Sequence, residues 1–317
     1  MNLRGKVVAL ALIGALVAGA GYWRSLHAVE DLGGTLLFHN YTSYESWDGH
    51  LYTLNLENRR LTDLTASWQT VKHTINGSFS ADGQYITFMG SRIDREDWDV
   101  FISHWNGLTW EEPIDITGPN GKRDEDPKFS PIDNTIIYKE DGVLATRLLK
   151  NGQATPATYL SSGSGESSMP FFLPNGKDFL YESGGNIYLS RNGRISTMFA
   201  GVGLKSYYPI ALNKKSFIYT RVQNSRHDGI MKGFYDGSPS QSYFFNNDQW
   251  DSSDPYPYKD GSEFIFLVSG DYLVPKGGYN LVIADLRRKK IVNIDDIYGN
   301  INTDKEELGP AWTRFTY

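Results

Sequence analysis

The groups in this chain that could do chemistry are five histidines beyond residue 30, one acidic run, and a set of aromatic and charged loop residues. His39, His50, His73 and His227 fall at or near loops, so a transition metal shared between imidazoles is one reading, although no short ligand spacing links them. His104 follows alternating residues and reads as structural. Without a metal, His73 or His227 would act as a base beside Arg92 or Arg226, whose guanidinium would neutralise a uronate carboxylate. The run Asp94-Arg-Glu96-Asp97-Trp-Asp99 could offer carboxylate oxygens to calcium, but it lacks the spaced ligands and glycine of a calcium loop, and a solvated loop is the expectation. The expected cofactor set is therefore empty, with calcium and a histidine-bound metal as the alternatives. Gly163-Ser-Gly165 resembles part of a nucleophile elbow without the strand–turn–helix setting that one needs. Catalysis is accordingly not the first expectation.

Binding is. Tyr44, Trp47, Trp68, Trp98, Tyr207, Trp250 and Tyr272, together with His73, Arg92, Arg95, Arg226 and His227, form the expected ligand-binding set. Aromatic faces stack on sugars, and guanidinium forks hold hydroxyls or uronates. The same residue types make protein–protein hot spots. The plainer alternative is that the aromatics pack between sheets while the charges solvate loops.

These residues need elements to position them, and the stretch Gly77-Ser-Phe79-Ser-Ala-Asp82-Gly83-Gln-Tyr85-Ile-Thr-Phe88 supplies the pattern. It reads as two short strands joined at Asp82-Gly83, a dipeptide suited to a hairpin turn with φ > 0 at both positions. The pattern recurs at Asp126–Tyr138, Met169–Tyr181, Tyr208–Tyr219 and Asp254–Phe266, and a last fragment, Gly309-Pro310-Ala-Trp312, lacks its partner strand. Successive prolines at 127, 170, 209, 255 and 310 stand 43, 39, 46 and 55 residues apart, and Gly77 stands 50 before the first. Short strands at such a period signify a β-propeller with one four-stranded blade per repeat. Complete blades are expected near 76–117, 125–160, 168–200, 206–245 and 253–295, with no helix. Thr35–His39, Leu51–Leu56 and Arg60–Leu64 provide three strands of a sixth blade, whose missing strand lies near Ala311–Phe315. The fold class is thus all-β: a six-bladed propeller closed by pairing the C-terminal strand into the N-terminal blade, which hides edges that would otherwise be sticky.

Composition sets the remaining bounds. A net charge of −6 argues against nucleic acid as a partner. Residues 1–30 are assigned to a secretory leader or membrane anchor and 31–317 to the propeller. Arg4 and Lys6, the apolar run Val7–Val17 and the small residues Ala18-Gly-Ala20 make a bacterial signal peptide with cleavage; the alternative is a tether through residues 7–23, a length at the short limit for spanning a bilayer. With no cysteine, lipid attachment through a thiol, disulfides and thiolate metal sites are all excluded.

Phe-Ser-Ala-Asp-Gly-Gln-Tyr-Ile-Thr-Phe at 79–88, with its weaker copies, resembles the WD40-like repeat of the TolB-type propellers over about residues 33–317. The resemblance implies the fold and a stand-alone propeller without the α/β domain that precedes it in TolB. Oligogalacturonate lyases, which use a histidine-rich metal centre, and some serine peptidases share the repeat, so it does not select an activity. The resulting expectation is an exported, periplasmic or secreted monomer that binds a glycan or an envelope protein at the channel mouth without catalysis. A polysaccharide lyase or glycoside hydrolase acting at the same mouth is the alternative.

Overall fold

The computed structural model describes residues 29–160, 165–192, 194–199, 205–223, 227–246, 250–270 and 278–317; residues 1–28 of the segment expected to be a leader or tether, and Gly163-Ser, lie outside them. Six antiparallel sheets form the blades of a propeller. Blade 1 is composite: β25 (Glu306–Thr313) pairs with β1 (Thr35–Tyr41), and β2 (His50–Asn55) and β3 (Leu61–Asp63) follow outward. Blade 2 comprises β4 (Val71–Phe79), β5 (Tyr85–Arg92), β6 (Asp99–His104) and β7 (Ile114–Asp115). In blade 3, β8 (Asp124–Phe129), β9 (Thr135–Glu140) and β10 (Val143–Lys150) are bordered by two short strands, β11 (Gln153–Ala154) and β12 (Thr158–Tyr159), both along β10. Blade 4 holds β13 (Ser168–Phe172), β14 (Phe179–Ser183), β15 (Asn186–Arg191) and β16 (Arg194–Phe199). Blade 5 holds β17 (Ser206–Ala211), β18 (Ser216–Val222), β19 (Asp228–Phe234) and β20 (Gln241–Ser242). Blade 6 holds β21 (Ser252–Pro257), β22 (Phe264–Gly270), β23 (Tyr279–Asp285) and β24 (Lys290–Asn293).

Each blade packs on two neighbours, so its second strand is buried on both faces and reads as a nearly continuous apolar run rather than an alternation. Phe264 to Val268 is buried at every position. The third residue of the recurring run is a fully buried aromatic in all six blades: Phe38, Phe88, Tyr138, Tyr181, Tyr219 and Phe266. The cores sit at the junctions of successive blades. Leu36 and Phe38 meet Phe264 and Phe266 where blade 1 closes on blade 6, and Ile137 and Leu144 meet Phe172 and Tyr181 between blades 3 and 4.

Every innermost strand carries one irregularity at the same place. Asn76, Asp126, Met169, Tyr208, Asp254 and Gly309 all have φ between 46° and 59°, and the pairing register with the next strand shifts there. The residue that follows is Gly77 or one of the five repeated prolines. A proline has no N–H to give the ladder, so it takes the unpaired place of a β-bulge. The bulges bend each inner strand at the axis and bring their side chains together in the channel.

Three local expectations are corrected. The Asp82-Gly83 hairpin is longer than two residues, because Ser80 pairs with Tyr85 and only Gly83 has positive φ, at 71°. Asp82 instead accepts from the Ser80 hydroxyl and the Gln84 amide, closing a four-residue turn with its side chain. A single helical turn, Asp295–Tyr298, stands where none was expected. Blade 2 begins at Val71 rather than 76, since the polar-looking Lys72-His73-Thr74 is strand, with His73 and Thr74 fully buried.

Candidate functional site

Loops joining second to third strands, and those joining successive blades, share one face, the mouth of the channel. On the arc formed by blades 1 to 3, the loop 42–49 leans over blade 2. Asp48 fixes it by accepting from the Thr42 amide at 2.9 Å, the Thr42 hydroxyl at 2.6 Å and the Lys305 ammonium at 3.0 Å, and is held down to about 2 against the opposing effect of its partial burial. Trp47, with φ 51°, then stacks on Trp98 at 4.9 Å, and Tyr44 lies 5.3 Å from the same indole. His73 completes the cluster, 4.8 Å from Trp98 and 5.2 Å from Trp47. Trp98 and His73 are buried, whereas Tyr44 is 36 % exposed.

The Tyr44 hydroxyl reaches blade 3. It donates to Glu125 Oε1 at 3.1 Å and accepts from the Arg123 guanidinium at 2.9 Å. Arg123 and Lys139 also bond Glu125, at 2.6 Å and 2.5 Å. Burial alone would raise the Glu125 carboxyl, but these two cations outweigh it and hold it below the usual carboxylate range.

His73 accepts the Gly49 amide on Nδ1 at 2.5 Å, which places its proton on Nε2, a buried atom with no acceptor among the described residues. Burial pushes the ring down to about 4, so it is neutral at physiological pH. Its one lone pair is already engaged. A base would need that lone pair free.

The arc formed by blades 5 and 6 is built from tyrosines and carboxylates. Tyr207 donates to Asp228, whose amide donates to Asp251 at 2.7 Å, and Tyr279 donates to Asp251 at 3.2 Å. Burial and the adjacent carboxylate push Tyr207 far above the usual phenol range. Trp250 and His227 are half-buried beside this arc.

The remaining sequence-selected residues are placed elsewhere or tied locally. Arg92 pairs with Asp94 at 3.0 Å on an exposed loop. Arg95 lies between Asp99 and Asp115, compensating an Asp99 carboxyl that burial raises to about 6. Trp68 stacks on Phe88 at 5.1 Å between blades 1 and 2. His50 pairs with Asp63 at 2.8 Å on the outer strands, His39 sits on β1 beside the channel, and His104 pairs with Glu111 at 3.1 Å near the opposite face. Arg226 and Tyr272 lie outside the described residues. Among the described residues, no three of His, Asp and Glu are placed to hold a metal.

Sequence reasoning missed the floor of the mouth. Asp126 accepts from Asn76 Nδ2 at 3.0 Å and the Met169 amide at 3.3 Å, and Asp254 accepts from the Gly309 amide at 3.0 Å and the Ser253 hydroxyl at 2.8 Å. Burial raises both carboxyls and lowers Lys128, which lies within charge range of each. The void left at the axis is about 30 Å³, bordered by Lys128, Tyr208, Asp254 and Tyr256, which is room for ordered water rather than a ligand. These side chains narrow the channel at this level, below the rim. The X-Pro repeated in five of the six inner strands, with Asn76-Gly77 in the sixth, was the signal that could have located this ring.

The chain has the fold of the TolB-type propellers. The TolB of Acinetobacter baumannii superposes with a TM-score of 0.66 at 15 % identity, over 95 % of this chain and 71 % of that one. The putative TolB of Agrobacterium tumefaciens gives 0.60 at 14 % identity, over 88 % and 98 %. Hydrazine synthase of Kuenenia stuttgartiensis gives 0.66 at 10 % identity, over 91 % of this chain but only 48 % of that one. No protein-family model matches the sequence, and a search of curated proteins finds no match. One architecture serving such different proteins leaves function to be argued from the site.

Proposed function

We propose that the chain is an exported, non-enzymatic propeller that binds a macromolecule of the bacterial cell envelope, a protein or a glycan, through the rim of its mouth. The observation carrying this reading is the Tyr44 hydroxyl held between Arg123 and Glu125. It ties a loop of blade 1 across blade 2 to blade 3 and presents Tyr44 and Trp47 as a fixed aromatic platform beside a guanidinium. Such preorganisation lowers the ordering cost of association. Tyrosine, tryptophan and arginine side by side are hot-spot chemistry, which favours a protein partner over a glycan.

The pairing of the mouth's titratable groups supports binding over lyase or hydrolase chemistry. Glu125, Asp228, Asp251 and His73 already hold hydrogen-bond partners from the fold. The leader pattern of residues 1–20 supports export. The test is affinity capture from a solubilised cell-envelope fraction, with the wild-type chain and a Tyr44→Ser/Trp47→Ser variant as baits, run beside a glycan array. Loss of the captured partner or glycan in the variant is the expected result. Capture unchanged by the variant would remove the platform from the proposal, and cleavage of acidic polysaccharides by the purified chain would replace it with the enzyme reading.

A further inference from the structure

The face opposite the mouth is made of the turns between first and second strands and between third and fourth. We propose that this face docks on an anionic phospholipid surface, with the mouth turned away from it. On blades 4, 5 and 6 its turns run over residues 173–178, 191–194, 212–216, 234–240, 257–264 and 285–290. They hold ten lysines and arginines against five aspartates and glutamates, on a chain whose net charge is −6.

Bonds between the turns set them side by side. The Asn192 amide donates to Asp178 at 3.2 Å, the Tyr235 amide to Lys215 O at 3.1 Å, and the Leu286 amide to Glu263 O at 2.8 Å. Three of the five carboxylates are engaged within the sector: Asp178 by Arg191 at 3.3 Å, Glu263 by Arg287 at 3.7 Å, and Asp285 by Arg288 at 3.3 Å. The surplus is lysine. Lys177, Lys214, Lys215, Lys259, Lys289 and Lys290 are exposed, and none has a carboxylate within ion-pair distance among the described residues. Between blades 4 and 5 an open groove of about 580 Å³ is lined by Arg191, Lys214, Lys215 and Lys232 against the single carboxylate of Asp236. Its size suits a phospholipid headgroup.

Apolar tips stand on the same face. Ile132, in the hairpin of blade 3, is 55 % exposed and lies against Gly176, where a Cβ would stand 2.2 Å from its Cγ1; Lys177 is the next residue. Leu108, in the turn between Trp105 and Trp110 of blade 2, is 82 % exposed. Ammonium groups on phosphates, and aliphatic side chains among the headgroups, are the two contributions that hold a protein on an anionic bilayer. The chain also enters the propeller on this side, where the Gly33 amide donates to Tyr258 and Gly34 O accepts the Leu56 amide. The sequence ahead of that entry carries the apolar run Val7–Val17. A nucleic-acid strand would call for a groove with aromatic rings on which bases stack. Here flexible point charges are spread over half the ring, which matches a field of mobile phosphates. The inference stands apart from the reading of the mouth.

The experiment measures binding of the purified full chain to vesicles of phosphatidylcholine, with and without about 30 % phosphatidylglycerol. Any contribution of the apolar run is common to both vesicles and to every variant. At least about tenfold tighter binding to the anionic vesicles is expected, falling as salt is raised from about 0.05 to 0.5 M. Lys214→Gln/Lys215→Gln and Lys289→Gln/Lys290→Gln should each weaken that binding about tenfold, since one ammonium beside an anionic leaflet is worth about fivefold. All four side chains are exposed, so the melting temperatures should stay near that of the wild type. Ile132→Ser should weaken binding to the anionic vesicles without changing its salt dependence. Tyr44→Ser/Trp47→Ser should bind as the wild type does. The proposal is overturned if both vesicles bind alike, if the lysine variants bind as well as the wild type, or if only the mouth variant loses binding. An oligonucleotide bound as tightly as the anionic vesicles would overturn it too, in favour of a general polyanion site.

Discussion

The indole N–H of Trp312 donates to the carbonyl of Gly33 at 2.9 Å. The Gly33 amide donates in turn to the Tyr258 hydroxyl at 3.2 Å, and the Trp312 and Tyr258 rings lie 4.7 Å apart. Tail, head and last blade thus meet at one point. The residues after β25 extend the seal to blade 2, where the Tyr317 hydroxyl donates to Gly83 O at 2.7 Å, while Asn55 Nδ2 donates to Tyr317 O at 2.9 Å.

Replacing Trp312 with Ala should therefore remove a packing element and a bond together, at a cost of about 2–4 kcal/mol. Trp312→Phe, which keeps most of the contact, should cost about 1 kcal/mol. Urea unfolding of both variants checks this. A cost below about 1 kcal/mol for the alanine variant would mean that the ring is held closed by backbone pairing alone.

Glu307 offers a pH test of the same closure. It is fully buried in β25, and burial raises its carboxyl to about 7, against the opposing bonds from the Thr303 amide and hydroxyl. A group whose folded value lies above its unfolded one stabilises the fold in acid. That contribution fades as pH rises from the unfolded carboxylate range, about 4.3, toward 7. Glu307→Gln cannot ionise, so the stability difference between pH 5 and pH 8 should shrink by on the order of 2 kcal/mol relative to the wild type. Parallel curves for the two proteins across that window would show that Glu307 does not titrate within it.

Much of the ring was legible because the repeat obeys simple rules. The spacing of the prolines, and an aromatic three residues into each second strand, gave blade number and closure before any contact was known. The bulges were harder to read, since a hydrophobic pattern marks which residues are buried but not where a ladder slips by one place. His73 was read as a loop residue because Lys72-His73-Thr74 has no apolar signal; its burial comes from Trp47 and Trp98, contributed by two different loops. Tyr44, Trp47, His73 and Trp98 do converge. The charges at the axis stayed hidden because Asp126 and Lys128 come from blade 3 and Asp254 from blade 6, more than 120 residues later, and their burial is a property of the closed ring.

Lys128 tests that axial cluster. Burial raises Asp126 and Asp254, and Lys128 opposes the rise in both. In Lys128→Met the two carboxyls should rise further, so the variant should lose stability more steeply than the wild type as pH increases. Near pH 5, where raised carboxyls are nearer neutral than at pH 8, the variant should fall short by less, about 1 kcal/mol, because the cost of burying an ammonium is also gone. At pH 8 it should be weaker by about 2–4 kcal/mol. Chemical denaturation at the two pH values measures the crossing. Equal losses at both would show that methionine fails by packing rather than by charge.

Gly49 and His73 form the pair on which the mouth platform rests. A Cβ at Gly49 would stand 2.7 Å from both Nδ1 and Cε1 of His73 and 2.8 Å from Ile75 Cγ2, and the imidazole is flanked by Trp98 and Trp47. Gly49→Ala should thus cost about 1–3 kcal/mol by overpacking and weaken capture of the mouth partner by displacing Trp47. His73→Ala empties the same space, so the double variant should recover at least about 1 kcal/mol of the summed single costs. A thermal double-mutant cycle reads this coupling directly. Additive costs would mean that the loop 42–49 yields to the new methyl group without pressing on His73, and that the platform is held by Tyr44 and Asp48 instead.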